Sequence, residues 1–543
     1  MFGFDAFSTA PLGSVRDPNL QSHFVGAAEF LPGYKRVTTH FKGTASIRTS
    51  ADNRIFAATD DYISQPGDRI PSRLFAGTVR QALRFSRSIF GSGDFGSYTL
   101  GLGEAILSNA GGEYDPLIGT HALDGRPIVI RLGDANEAHD TFGTVFDGQS
   151  TGYQVNGAEF VIDLRDNGYL LEVPVSAATF AGTGGIEGDE DLKGRRKPVP
   201  LGFCRNVTPA LINRQKWVFA VADAAVHGIS AVYQRGAALG AAGPDYPTYE
   251  ALIAAEVPDG GFVTCLASGL FRVDFIADAD VGQTTCDVEG LVVDGVYARS
   301  TAEVVTVLAK RVGGIALDLA SFARVQAAQP ASVNFFVGVG EETTIAAAMA
   351  RLAIGIGGWV GFRRSGKLEL GILSETTGSA LTSFDDIDII EIDRDRLPDA
   401  IEPPAYRYRA AYARNWTVQT DNFAGSVSED RRTFLREPFR VSEPAEDQRI
   451  KINHPLAQDP PPIETFFDEE APAKAECERR LRFFRSARSV YRLSARARPF
   501  GLDLGDEIHV TYPRWDLAAG KSFRVVSIDE DTENNIIEIV GYG

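Results

Sequence analysis

The stretch that most constrains the fold of this chain runs from Lys193 to Gly236. A loop with two prolines is followed there by two runs in which apolar residues alternate. Pro198 and Pro200 fit poorly inside a regular element, so a new element is predicted to begin at Leu201. Asn206–Pro209 is predicted to form a turn, since the residue before a proline is excluded from the helical region.

The two apolar runs that follow alternate with a period of two, which is typical of strands with one buried face. The residues predicted to face the core are Trp217, Phe219 and Val221 in the first run, and Ile229, Ala231 and Tyr233 in the second. Nothing in this stretch has the residue types or the spacing of a reaction centre, so we interpret it as a structural wall.

Length and charge bound the class of protein. A chain of 543 residues exceeds one hydrophobic core, so we expect roughly three to five domains. Its 55 glycines and frequent Val, Ile and Thr runs favour a β-rich architecture. A formal net charge of −18 excludes a protein that coats nucleic acid, but it suits a channel wall along which DNA slides without binding.

The four cysteines are too far apart for a CxxC pair. We interpret them as reduced, buried thiols of a protein made in a cytoplasm. The alternative is a thiolate cluster that holds zinc or iron–sulfur through Cys204, Cys265 and Cys286.

No targeting or membrane segment is expected. The first ten residues lack a basic region and an uninterrupted apolar run, so they do not resemble a secretion signal. Thr344–Phe362 is the most apolar stretch, but Arg351 and several glycines interrupt it, and a span needs about twenty apolar residues.

The chain is predicted to be a β-rich multidomain (α+β) protein that contains several small β-barrel or sandwich modules and a few helices. Six segments are expected: 1–81, an N-terminal arm with short strands; 82–183, a first β domain; 184–300, a second β domain; 301–380, an α+β helix–hairpin domain; 381–460, a strand-rich connector; and 461–543, a helix followed by a small β-barrel.

Helices are predicted mainly in the second half of the chain. Thr301 is expected to cap the first, Leu319–Ala328 to form the second, and a third to begin near Glu341 and end at Gly357. A hairpin is expected around Ser365 and Gly366. The last helix has acids in its first turn and an apolar stripe, which comprises Ala473, Cys477, Leu481 and Phe484.

Motifs that could carry chemistry are weak. Gly91–Gly96 fits G-x-G-x-x-G but precedes a strand pattern, and Ala518–Ser522 ends like a P-loop but also precedes a strand. The acids between Glu187 and Asp191 lack the spacing of a calcium loop, so we interpret them as a solvated linker. The seven histidines lack metal-site spacing. We therefore assign no catalytic, cofactor-binding or metal-binding residue, although paired carboxylates for glycan hydrolysis stay possible.

Arg479–Arg498 is the basic tract, with eight arginines among aromatic residues. Interleaved aromatics would suit single-stranded nucleic acid. We favour instead a helix end whose arginines pair with acids on a neighbouring subunit.

Several short motifs, in their order, resemble those of tail-hub or tail-tip (baseplate hub) proteins of tailed bacteriophages. In the central stretch they are the loop Gly194–Pro198, the turn Asn206–Pro209 and the unit Val232–Gly236. Similar segments elsewhere are Asn109–Gly112, Asp124–Arg126, Cys286–Gly290 and Arg414–Gln419. The resemblance extends over most of the chain.

The resemblance implies a structural virion protein and no enzyme. It implies a homotrimeric ring, assembled in the host cytoplasm, that joins the tail tube or distal tail protein to a central fibre or spike and contacts other baseplate proteins. DNA would pass through its lumen without specific binding. Two alternatives stay open: a tail-associated glycan or peptidoglycan hydrolase that uses paired carboxylates, and a receptor-binding adhesin.

Overall fold

The structure is a computed structural model, which describes residues 36–45, 52–89, 99–118, 121–133, 137–274, 283–396, 403–485, 488–496, 501–532, 534 and 536–543. Residues 1–35 and 46–51 of the predicted N-terminal arm, and the whole Gly91–Gly96 motif, lie outside these residues. Within them, 34 strands and seven α-helices surround several separate apolar cores, which confirms the predicted β-rich multidomain class. The described strands form open sheets and sandwich-like layers and no closed barrel.

The first described strands lie between residues 36 and 165. They are β1 (Arg36–Ala45), β2 (Asp52–Ala58), β3 (Tyr62–Ile63), β4 (Leu74–Phe75), β5 (Val79–Ser88), β6 (Thr99–Ser108), β7 (His121–Ala122), β8 (Pro127–Gly133), β9 (Gly143–Asn156) and β10 (Glu159–Arg165).

The next group lies between residues 199 and 297 and contains the first α-helix. Its members are β11 (Val199–Val207), β12 (Ala210–Asn213), β13 (Val218–Ala220), β14 (Val226–Gln234), β15 (Ala237–Ala238), β16 (Ala242–Asp245), α1 (Tyr249–Ala254), β17 (Phe262–Cys265), β18 (Leu270–Val273), β19 (Thr284–Val293) and β20 (Val296–Tyr297).

Helices and strands are mixed in the remainder. The elements are α2 (Thr301–Val312), α3 (Leu319–Ala328), β21 (Asn334–Val337), α4 (Ile345–Gly355), β22 (Gly358–Phe362), β23 (Leu368–Ile372), β24 (Thr382–Phe384), β25 (Ile389–Asp395), β26 (Arg407–Tyr408), β27 (Ala410–Tyr412), α5 (Glu429–Arg436), β28 (Arg440–Val441), β29 (Ala445–Glu446), α6 (Gln448–Asn453), β30 (Ile463–Glu464), α7 (Glu470–Arg485), β31 (Val490–Arg496), β32 (Glu507–Val510), β33 (Lys521–Asp531) and β34 (Ile536–Tyr542).

The largest sheet joins strands from both ends of the chain. Its order is β2-β1-β8-β9-β10-β6-β5-β33-β34-β31-β25, with β7, β24 and β32 attached beside this path. The connection between the two ends is the antiparallel pair β5–β33, in which Ser88 lies opposite Ser527 and Arg84 opposite Asp531. The C-terminal strands thus extend this sheet. The six-segment division stays a prediction, and this packing crosses several of its boundaries.

Strand β13 lies between two cores. Phe219 packs into the largest core, together with Val221 just after the strand, whereas Val218 and Ala220 pack into a smaller core that α1 covers through Leu252. The prediction of one buried face is therefore wrong for this strand. Alternation is present, but both faces of its five-stranded sheet, ordered β12-β13-β18-β17-β16, are covered.

Strand β14 departs from simple alternation. Its pairing with β19 shifts register between Ile229 and Ala231, and the buried residues are Val226, Ile229 and Val232. The prediction that Ala231 and Tyr233 share the buried face with Ile229 is wrong, because a β-bulge adds one residue and reverses the phase beyond it.

Element boundaries shift slightly from the predictions. Strand β11 begins at Val199, so Pro200 lies inside it opposite Phe336, since proline is tolerated near a strand start. Ser300, and not Thr301, caps α2, because its Oγ accepts the Glu303 N–H at 3.3 Å while the Glu303 carboxylate accepts the Ser300 N–H at 3.1 Å.

The other predicted helices are present. Helix α3 has the predicted bounds, α4 starts later than predicted at Ile345 because Thr344 caps it, and β22–β23 forms the predicted hairpin. In α7 the side chains of Ala473, Cys477 and Leu481 are buried as predicted. Within the described part of the chain, no helix has the length and apolar character that crossing a bilayer requires.

Candidate functional site

Two of the family-like motifs, 209 positions apart, meet in the interior. Asn206 lies at φ +53°, a left-handed conformation that asparagine tolerates better than most residues. Its Nδ2 donates to Asn415 Oδ1 at 2.8 Å and to the Thr417 carbonyl at 2.7 Å. The hydroxyls of Thr208 and Thr417 also lie 2.8 Å apart. The prediction of a turn at Asn206–Pro209 is wrong for its first two residues, because Asn206 and Val207 end β11 and only Thr208 and Pro209 connect it to β12. The hydrogen bonds fix this segment to Arg414–Gln419.

Asp287 connects two further motifs to the same place. Its Oδ1 accepts the backbone N–H of Asn206 at 2.7 Å, and its Oδ2 accepts the hydroxyl of Tyr233 at 2.7 Å. Burial, reinforced by the charge of Asp287, raises the pKa of Tyr233 well above its usual value, so the hydroxyl keeps its proton at neutral pH. We call Asn206, Tyr233, Asp287 and Asn415 the motif junction.

Asn415 also caps a helix end. It is only 3% exposed, and its Nδ2 donates to the carbonyls of Leu435 and Glu437, both at 3.0 Å, while lying 3.3 Å from that of Phe434. These carbonyls belong to the last turn of α5 and the residue after it, where few intrahelical donors are available. The Phe434 carbonyl also accepts the Glu437 N–H at 3.4 Å, and the Leu435 carbonyl also accepts the Gln419 N–H at 2.8 Å. One side chain therefore joins α5 to β11.

The Arg-Gly end of the Val232–Gly236 motif packs beside α5. Arg235 donates to the carbonyl of Asn422 at 3.0 Å and to its side-chain oxygen at 2.6 Å. Gly236 has φ +81°, and a Cβ there would lie 2.7 Å from Leu435 Cδ1. Glycine is required at this position by both its backbone conformation and the close approach of α5.

The basic loop Gly194–Pro198 lies elsewhere, against the acidic segment before it. Lys197 Nζ lies 2.8 Å from Glu187 and Lys193 Nζ lies 3.0 Å from Glu190. The hydrogen bond from Lys197 lowers the pKa of Glu187. Glu187 is partly buried and paired, so the interpretation as a solvated linker is wrong for this residue, whereas Glu190 is exposed, as that interpretation predicts.

A cavity of about 620 Å³ lies beside the motif junction. It is lined by polar and aromatic residues from six elements and the loops next to them. They are Arg205, Asp287, Tyr412, Ala413, Ser428, Asp430, Arg431, Phe434, Arg440, Asp468, Glu469 and Glu470. No sequence pattern predicted this cavity, because its walls come from segments more than 200 positions apart.

The cysteines are all buried, and they form no disulfide among the described residues. Cys204 and Cys286 belong to the largest core and Cys265 to the smaller core under α1, so the three do not share one cluster. Burial raises the pKa of Cys204 and Cys286, and raises that of Cys477 to about 11. No group of three or more His, Cys, Asp or Glu residues in the described ranges is arranged to hold a metal ion.

The first arginines of the basic tract turn inward. Arg479 and Arg480 pair with Glu476 at 2.8 Å, and they donate to carbonyls at the end of α4: Arg480 to Ile354 at 2.7 Å and Arg479 to Ile356 at 3.1 Å. The prediction that this helix end pairs with a neighbouring subunit is wrong for these two residues, because the carbonyls of α4 and a fully buried carboxylate already engage them.

Ala518–Ser522 is followed by a strand as predicted. Strand β33 begins at Lys521, whose Nζ lies 3.0 Å from Asp516. A P-loop needs a helix at this point, so the phosphate-binding interpretation is excluded here.

A buried charge cluster, which the sequence analysis missed, connects the β22–β23 hairpin to the largest sheet. Arg363, next to the hairpin turn, lies 2.8 Å from Asp318, 3.2 Å from Asp503 and 3.8 Å from Glu369. Its neighbour Arg364 lies 2.9 Å from Glu530 on β33. The only sequence signal was two adjacent arginines beside a hairpin turn.

Burial separates the pKa values of the carboxyls in this cluster. Desolvation is the largest influence on Glu369 and raises its pKa to about 8, although Arg363 acts in the opposite direction. Asp503 has a lowered pKa, because the nearby arginines outweigh its burial. These carboxyls are turned toward arginines in the interior, which is a structural use of acidic residues.

Comparisons with known proteins give only distant likenesses. No family model matches the chain, and no curated protein matches its sequence. Among solved structures, the tail protein from Neisseria meningitidis MC58 is 8% identical, covers 94% of this chain and 97% of its own, and has a TM-score of 0.39. The virion of a native gene transfer agent particle contains a chain that is 15% identical, with 69% and 91% covered and a TM-score of 0.42.

A third solved structure is the 43 kDa tail protein of prophage MuSo2 from Shewanella oneidensis, which is 8% identical, with 94% and 98% covered and a TM-score of 0.36. The descriptions of these three name tail proteins and a virion, the same class of protein that the motifs resemble. Likenesses at this level are too weak to support an argument about function.

Proposed function

We propose that this chain is a structural virion protein of a tailed phage, a hub or tail-tip component that joins the tail tube to a distal fibre or spike. The observation that carries the proposal is the motif junction. Motifs that resemble those of hub proteins, scattered along the chain, meet in one buried network with hydrogen bonds of 2.7–2.8 Å.

The geometry of this network suits a scaffold. Asn206, Asp287 and Asn415 use their side chains on one another and on backbone groups, which fixes β11, β19 and α5 relative to each other. Directional hydrogen bonds define such an arrangement more narrowly than apolar packing does. A ring of identical subunits closes only if each subunit holds its shape, and we propose a homotrimeric ring of this kind.

The proposed lumen passes DNA without binding it. The formal net charge of −18 supports this role, since an acidic wall repels phosphate. The partners would be the tail tube or distal tail protein above the ring and a fibre, spike or other baseplate protein below it, in particles assembled in the host cytoplasm.

The test is assembly. The purified chain is examined by size-exclusion chromatography with light scattering, mixed with the tail-tube protein encoded in the same genome, and imaged by negative-stain electron microscopy. We expect trimers, and rings with an axial hole at the ends of tubes. A strict monomer that does not associate with tubes contradicts the proposal. So does turnover of peptidoglycan or polysaccharide that a single Asp or Glu substitution abolishes.

A further inference from the structure

The end of α6 and the residues directly after it form an exposed projection. Six consecutive residues, Lys451–Leu456, are all exposed, and we call them the apolar tip. Ile452 is 77% exposed and Leu456 is 79% exposed, the two largest values for a large apolar side chain among the residues that the structure describes. Such side chains gain nothing from burial within this chain, so a pair of them points to a surface that covers them.

Both ends of the apolar tip are fixed to the protein. Ile450, directly before it, is 3% exposed and belongs to the largest core, and Ala457, directly after it, packs against the same core. A turn reverses the chain between these anchors, since the Ala457 N–H donates to the carbonyl of His454 at 2.8 Å. The two exposed side chains therefore project from a fixed base.

The charges next to the apolar tip are mostly positive. Residues 448–457 include Arg449 and Lys451 and contain no acid. Arg485 approaches from α7 and lies 4.0 Å from Asp447, the acid directly before α6. Asp447 also accepts a hydrogen bond from Arg449 Nη2 at 2.9 Å. Three cations thus stand beside one carboxylate.

The strands beside the apolar tip do not reverse this local charge. Arg407 lies 2.9 Å from Glu446 and 3.1 Å from Asp459, and Arg409 lies 2.8 Å from Asp459, so two cations balance two carboxylates there. Salt screens exposed charges that are more than about 10 Å away, so the near charges, and not the net charge of −18, set the potential at the apolar tip.

We propose that the apolar tip inserts into the surface of an anionic lipid bilayer without spanning it. Ile452 and Leu456 enter the boundary between headgroups and acyl chains, while Arg449 and Lys451 stay at the level of the lipid phosphates. A protein pocket for two aliphatic side chains needs no cations beside it, whereas an apolar pair with a basic flank suits an anionic headgroup layer. The inference does not depend on the proposed virion role.

A second exposed apolar pair provides the matched control. Ile387 and Ile390 are 74% and 55% exposed, but exposed Asp386 and Glu391 lie next to them in the chain. This pair has the same apolar character with the opposite charge around it, so an anionic lipid surface should repel it.

The test is flotation of the full chain with two kinds of vesicle at about 0.1 M salt: phosphatidylcholine alone, and phosphatidylcholine with about one third phosphatidylglycerol. We expect at least about tenfold stronger partition into the anionic vesicles, because each Lys or Arg near an anionic surface strengthens binding about fivefold. At about 1 M salt the Debye length is only about 3 Å, so most of this difference should disappear.

The tip variant combines Ile452→Ser with Leu456→Ser, and the control variant combines Ile387→Ser with Ile390→Ser. The tip variant should bind anionic vesicles at least about tenfold more weakly than the native chain, whereas the control variant should bind as the native chain does. Leu456→Ser alone should weaken binding at least about threefold, and it serves where the tip variant does not fold.

The proposal is overturned if the native chain does not bind anionic vesicles at millimolar lipid, if it binds both kinds of vesicle alike, or if the tip and control variants bind alike. It is also overturned if the tip variant changes the oligomeric state that light scattering measures without lipid, because that result assigns the apolar tip to a contact between copies of this chain.

Discussion

Replacement of Asn415 by alanine tests whether the motif junction holds α5 in place. The change leaves the Glu437 carbonyl without this donor and the Thr417 N–H without its acceptor. It also removes one of two partners from the Leu435 carbonyl, which still accepts the Gln419 N–H, and from Asn206 Nδ2, which still donates to the Thr417 carbonyl. Each buried group left without a partner costs about 1–3 kcal/mol, and some of these groups can recruit water. We therefore expect a loss of about 3–5 kcal/mol in the free energy that holds this region closed.

Amide hydrogen exchange is the appropriate assay, because it reports local opening of α5 in a chain with several cores. A loss of about 3 kcal/mol corresponds to faster exchange by roughly two orders of magnitude at the amides of α5. The control is Asn453→Ala at the exposed end of α6, which should change the free energy by less than about 0.5 kcal/mol.

A double-mutant cycle separates the contact between the two motifs from the helix cap. Asn206→Ala and Asn415→Ala remove a shared hydrogen bond of 2.8 Å, so their effects should fall short of additivity by about 0.5–3 kcal/mol. Strict additivity, or a change of less than about 1 kcal/mol for Asn415→Ala, would refute the reasoning that the shared motifs act as one joint.

Three further predictions follow from buried positions. The pKa of Glu369 is raised from 4.5 to about 8, so its favourable contribution to the free energy of unfolding is complete below about pH 4.5. That contribution decreases by about 1.4 kcal/mol per pH unit as pH rises to about 8. Urea unfolding at pH 5 and 8.5 should therefore show a flatter pH dependence for Glu369→Gln than for the native chain. Glu476→Ala leaves two inward-facing arginines without their carboxylate and should cost about 3–5 kcal/mol in urea unfolding, whereas exposed Glu478→Ala should cost less than about 0.5 kcal/mol. Gly202 and Gly295 both have positive φ, but a Cβ at Gly202 would overlap the carbonyl oxygen of Val333, while one at Gly295 would meet open space. Alanine should therefore lower the free energy of unfolding in urea by about 2–5 kcal/mol at Gly202 and by only about 1–2 kcal/mol at Gly295, and equal losses would contradict this.

Local periodicity was a reliable guide where one face of an element is buried. In the sequence, Phe160, Ile162 and Leu164 occupy alternate positions, and all three are buried on β10. The predicted stripe that includes Ala473 and Cys477 faces the core from α7. In both cases the spacing of apolar residues predicts one buried face, and this spacing is present in the sequence whichever element covers that face.

Periodicity could not identify the covering element. The sequence of β13 alternates, but nothing in it indicates that a second core, with α1 above it, lies on the other face. The bulge in β14 between Ile229 and Ala231 is likewise set by pairing with β19, and the pair β5–β33 joins residues more than 400 positions apart. Such contacts depend on the whole fold, which short-range patterns do not encode.

The motif junction likewise separates local structure, which the sequence can predict, from contacts between distant segments, which it cannot. The sequence predicted a turn at Asn206, which instead lies in β11, and a family-like segment at Arg414–Gln419, and the contact between the two was not predicted.

Two buried polar networks, the motif junction and the charge cluster around Arg363, lie where separate apolar cores meet. The motif junction joins α5 to β11 and β19, and the charge cluster around Arg363 joins the β22–β23 hairpin to the largest sheet. Apolar contacts tolerate sliding, since the hydrophobic effect has no direction, whereas buried hydrogen bonds and ion pairs tolerate little displacement. Burying these groups adds little net stability, but it restricts the angle between modules. In the ring that we propose, each subunit needs that restriction, because any error in its shape recurs at every interface.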